Sequence, residues 1–145
     1  MAVDRQDVRE ALAIAAAPYM TSAKVVFDQM PDSIGKNWPI LAFEATGSRR
    51  VRAQFTSLQS TFYFNVYIIV LYADKKEGWT KAQADDTVDA MEHEFATFVE
   101  ANPKSAGNWN NLAYGDRSIV TPPITDMGGR RYVFEQIPIA VEVYG

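Results

Sequence analysis

Residues 60–74 read STFYFNVYIIVLYAD, and this stretch decides the fold. Side chains of a strand alternate between two faces. Phe62, Phe64, Val66, Ile68, Val70 and Tyr72 then line one face, apolar throughout. Tyr63, Asn65, Tyr67, Ile69 and Leu71 line the other, amphipathic at its start and apolar at its end. A strand that packs on one core needs one apolar face; this one asks for cover on both.

Working outward, the closing stretch RRYVFEQIPIAVEVYG has the same character. Val133, Ile137, Ile139, Val141 and Val143 alternate, interrupted by Glu135, while Tyr132, Phe134, Ala140 and Tyr144 stand on the second face. Pro138 has no N–H for a ladder, which predicts an edge strand or a bulge there. KVVFDQM and WPILAFEAT read as short strands, and a further strand is expected around 112–120. Gly47-Ser48 with Arg49, Arg50 and Arg52 reads as a basic connection. TPPITDMGGRR reads as a second, with Gly128-Gly129 reversing the chain before Arg130 and Arg131. Both precede long strands, so both are expected at one end of the sheet.

Two helices complete the pattern. Asp4 is a good N-cap, Asp7 suits the first turn, and Val8, Ala11, Leu12 and Ala15 follow at helical spacing up to Pro18. In the second, Thr80 caps a run in which Ala84, Val88, Met91, Phe95 and Phe98 share one face. Asp85, Asp86, Asp89, Glu92 and His93 take the other, and Asn102-Pro103 ends the helix. The order predicts one α+β domain over residues 1–145: a mostly antiparallel sheet with two helices on one face.

Composition narrows the function. The chain has 145 residues, 48% of them hydrophobic and 22% charged, an ordinary globular balance. With no cysteine, disulfides, thiol catalysis and thiolate metal sites are excluded. The apolar run at 11–17 is short and follows acids, so neither a signal peptide nor a membrane span is expected. A net charge of -4 speaks against a dedicated nucleic-acid binder.

Catalytic groups are sparse. His93 is the one histidine; with Asp85 and Asp89 it shares a helix face, but two carboxylates and one imidazole make a poor transition-metal site. MEHEF lacks the second histidine of a zincin helix, and Gly47-Ser48 is not a nucleophile elbow. Gly128-Gly129 precedes a strand and lacks the lysine of a phosphate loop. No catalytic residue, cofactor or metal is expected. The arginine groups either blunt sheet edges or meet an acidic surface on a partner or a second copy. Tyr63, Tyr67, Tyr132 and Tyr144, apolar in body and polar at the tip, suit an interface. Cover of the second face within the chain would need a second sheet, which about six short strands could just supply as a sandwich-like curl; self-association is the expected cover. The competing readings are an α+β domain whose aromatic face lines a ligand pocket, and a nucleic-acid module using the five arginines.

In layout the chain resembles the tail terminator, or tail completion, proteins of long-tailed bacteriophages. The resemblance rests on the alanine-rich leading segment MAVDRQDVREALAIAAAPYM, the strand TFYFNVYIIVLYAD, the helix ADDTVDAMEHEFATFVEAN and the closing RRYVFEQIPIAVEVYG. It implies a non-enzymatic virion protein, assembled in the host bacterial cytoplasm, forming a homo-oligomeric ring, commonly of six. Such a ring caps the tail tube, ends its polymerisation and offers the head-tail connector protein a joining surface. Partners would be the tail tube protein, the connector and DNA passing through the lumen, with no membrane. Other phage neck and minor tail components share this order of elements. Arg49, Arg50, Arg52, Tyr63, Tyr67, Arg130, Arg131 and Tyr132 are the interface candidates.

Overall fold

Both helices begin where local chemistry starts them. In the computed structural model, which describes residues 3–32, 39–52, 58–72, 80–125 and 131–144, the Asp4 carboxylate accepts the Gln6 N–H at 2.9 Å and opens α1 (Arg5–Ala16). A 3-10 turn over Ala17–Tyr19, carrying Pro18, follows. Thr80 and Gln83 form a capping box at the head of α2 (Lys81–Ala101). The Thr80 hydroxyl accepts the Gln83 N–H at 3.2 Å, and the Gln83 side chain accepts the Thr80 N–H at 2.8 Å.

The strands are β1 (Val25–Phe27), β2 (Ile40–Arg52), β3 (Leu58–Tyr72), β4 (Asn111–Tyr114), β5 (Ile119–Thr125) and β6 (Arg131–Tyr144). They form one sheet in the order β1-β2-β3-β6-β4, with β5 also paired to β6. β1 runs parallel to β2 and the other pairings are antiparallel. The fold is α+β, as expected. The expected strand around 112–120 is divided into β4 and β5, and the proline-bearing TPPIT segment belongs to β5 instead of a connection. Its two prolines fall where the β5–β6 register shifts, between Thr121 and Ile124.

α1 and α2 cover one face. Val8, Leu12 and Ala16 of α1 join Ala84, Val88, Met91, Phe95 and Phe98 of α2 over Phe62, Phe64, Val66, Ile68 and Val70. Phe95 meets the rings of Phe43, Phe98 and Tyr114. On the other face Ile40, Ala42, Ile69 and Leu71 are buried but lie outside this cluster. The apolar end of the second face is thus covered within the chain.

Pro138 is neither on an edge strand nor at a bulge. β3 and β6 stay in register without a break from Gln59–Tyr144 to Tyr72–Arg131, and Asn65 pairs with Pro138. The Pro138 carbonyl accepts the Gly115 N–H at 2.8 Å on the side of β4 and β5. A strand residue turns its nitrogen to the same side as its carbonyl, so the missing N–H falls in the gap between β4 and β5. No bond to β3 is lost.

Candidate interaction surface

The three arginines of β2 illustrate what pairing does to a sequence pattern. They do not lie in a connection, because β2 continues to Arg52 and pairs with β3 to Leu58. Its register shifts between Ala45 and Gly47, a bulge that inserts one residue and inverts the alternation. Before it, Leu41, Phe43 and Ala45 face the helices. After it, Ser48, Arg50 and Arg52 do so, opposite Phe62, Ser60 and Leu58. Arg49 is turned to the second face, opposite Thr61 and beside Tyr63, which pairs with Gly47.

Arg50 is tied down. Its guanidinium donates to Ser60 Oγ at 3.1 Å and to the Val3 carbonyl at 2.9 Å, and it lies over the Phe62 ring. Ser60 is buried, so Arg50 supplies the partner that its hydroxyl needs. Arg49 is exposed.

The two arginine groups do not share an end of the sheet. Arg52 pairs with Leu58 at one end of β3, and Arg131 with Tyr72 at the other. The strands flanking an antiparallel neighbour run parallel to each other. The end of β2 and the start of β6 are therefore separated by the length of β3, about 45 Å. Arg130 lies outside the described residues, as does Gly128-Gly129.

On the second face, Tyr63 is 39% exposed and Tyr67 is half-buried. Tyr67 donates to Glu44 at 3.4 Å and accepts from Asn65 at 3.5 Å. Burial, ahead of the Glu44 charge, raises its pKa, while the Asn65 hydrogen bond opposes the rise. Tyr132 pairs with Leu71 and Ile124 towards the opposite end of the sheet. The tyrosines thus share a face without forming one contiguous cluster.

Sequence reasoning passed over two further groups. Arg5 and Arg9 of α1 join Arg50 around one cleft; their spacing of four residues was the available signal. Glu135, seen as an interruption in an apolar row, is 4% exposed on the helix-covered face opposite Ile68. Burial raises its pKa first, then the charges of Glu92 and Asp89, against a hydrogen bond from Ser118. Burial, then Glu92 and Glu135, push the neighbouring Tyr114 phenol up to about 12. Among the described residues no group of three or more His, Asp or Glu is placed to hold a metal ion, and His93 is exposed on α2. No described helix is long and apolar enough to cross a membrane. No protein-family model matches the chain, and no curated protein matches it.

Proposed function

We propose that this chain is a non-enzymatic assembly protein of the phage tail-terminator type, one subunit of a homo-oligomeric ring that caps the tail tube and meets the head-tail connector. In this reading it acts in the virion's tail or neck, with the tail tube protein and connector as partners and DNA passing through the lumen. The observation that supports it is the half-exposed central part of the second face, where Tyr63 and Tyr67 lie on the side of the sheet opposite both helices. A face of this kind is suited to a neighbour, since tyrosine offers broad apolar contact with a polar tip. The layout of elements along the chain supports it as well.

Light scattering over a concentration series, followed by pull-down with a tail tube protein, tests this reading. A rise in mass towards a closed oligomer and retention of the tube protein are the expected results. A monomer at every concentration that also retains neither tube nor connector protein would overturn it.

A further inference from the structure

Arg5, Arg9 and Arg50 line one cleft of about 680 Å³, together with Ser48 and Asp4. Three guanidinium groups face one carboxylate there, and that carboxylate is already engaged as the N-cap of α1. Arg5 donates to Ser48 Oγ at 3.0 Å, and Arg50 is held by Val3 and Ser60. Arg9 Nε is buried without a hydrogen-bond partner. Among the described residues none of the three forms an ion pair. The cleft thus holds three cations with no carboxylate paired to them, and an incoming carboxylate would gain charge-assisted bonds from the guanidinium nitrogens that line it.

On a chain of net charge -4, the complementary surface is present on the molecule itself. Glu94 of α2 accepts from Ser22 N at 3.0 Å and from Thr21 Oγ1 at 3.3 Å, which fixes that flank of the helix beside the segment following α1. Helical geometry sets Asp85, Asp89 and Glu92 on the opposite flank. There Asp89 and Glu92 act on Glu135 of β6, and Glu92 on Tyr114 of β4. The cleft lies beside β2, and the acidic flank lies towards β4, with β3 and β6 between them. Each edge also shows apolar side chains to solvent, Ile14 on α1 and Ile119 and Val120 on β5.

We propose that the Arg5–Arg9–Arg50 cleft of one copy receives the acidic flank of α2, carrying Asp89 and Glu92, from a second copy. The two surfaces differ and lie on opposite edges of one sheet, so the contact is head-to-tail, the kind that generates rings or filaments. This inference rests on the self-assembly reading above and adds which surfaces meet.

A charge swap tests it by light scattering. The double variants Arg5→Glu/Arg9→Glu and Asp89→Arg/Glu92→Arg each set like charges against each other in a homotypic contact. Each is expected to need about tenfold or more protein to associate. An equimolar mixture restores opposite charges at every contact and is expected to recover association, a rescue that an unfolded variant cannot give. Arg5→Gln/Arg9→Gln is expected to fall between them and the parent. Normal association by all variants would overturn the inference and leave the self-assembly reading standing. A parent chain that stays monomeric, with variants that do not associate on mixing, would overturn the inference, and the self-assembly reading falls with it when neither tube nor connector protein is retained. Binding of duplex DNA that is lost in Arg5→Glu/Arg9→Glu while association is unchanged would assign the cleft to nucleic acid, and the inference would fall.

Discussion

The Arg50 guanidinium carbon lies 5.1 Å from the centroid of the Phe62 ring, and this contact exists because of a bulge four residues earlier in β2. Without the inserted residue Arg50 would point to the second face, and Arg49 would take its place over Phe62. The pair stacks a cation on an aromatic face at the end of the core, while the same guanidinium bonds buried Ser60.

Arg50→Ala is therefore expected to cost about 1–2 kcal/mol of folding stability, combining the lost cation–π contact with an unpartnered buried hydroxyl. Arg49→Ala, one residue away and exposed, is expected to stay within about 0.5 kcal/mol of the parent. Urea unfolding of the two variants separates them. Equal midpoints would show that the Phe62 contact contributes nothing.

Phe95 carries more. It is fully buried and touches the rings of Phe43, Phe98 and Tyr114. Phe95→Ala leaves a cavity between α2 and the sheet, at an expected cost of about 3–5 kcal/mol. Phe95→Leu keeps much of the volume and should cost less. Thermal or denaturant unfolding gives the order, and an unchanged midpoint for Phe95→Ala would contradict the packing described.

Glu135 makes stability depend on pH in an unusual direction for a carboxylate. Its folded pKa is raised above the ordinary 4.5 by burial and by Glu92 and Asp89. The folded state therefore holds its proton more tightly than the unfolded chain does. Its contribution is fully present below the unfolded value and is lost as pH rises through the raised folded one. Glu135→Gln, which stays uncharged, is expected to be more stable than the parent at neutral pH, with the difference closing in acid. Unfolding midpoints measured from acid to neutral pH decide this; a constant difference across that range would rule out titration of Glu135 as its cause.

Tyr63 bears on the proposed assembly. It is partly exposed, pairs with Gly47 and Ala140, and gives little to the core shared with the helices. Tyr63→Ser should change folding stability by no more than about 0.5 kcal/mol. A buried interface tyrosine is worth more, so association is expected to need about tenfold more protein. Sedimentation velocity reads the second effect, and identical profiles for parent and variant would remove Tyr63 from the interface.

Much of this molecule was determined locally and could be read without a structure. The caps at Asp4 and Thr80, the buried stripe of α2 and the alternation along β3 each depend on residues a few positions apart, where helical and strand periods act directly. The α+β class follows from the order of those elements. What only the tertiary structure decided depends on pairing between distant segments. The bulge after Ala45 separated Arg49 from Arg50 and Arg52, because one inserted residue inverts every side chain beyond it. Antiparallel pairing of β3 with both neighbours sent Arg52 and Arg131 to opposite ends. The gap between β4 and β5 let Pro138 sit in an interior strand. Glu135 broke an apolar row and Arg5 and Arg9 stood four residues apart, but their surroundings could not be read for the same reason: the groups that meet there come from elements far apart in the chain, and folding alone brings them together.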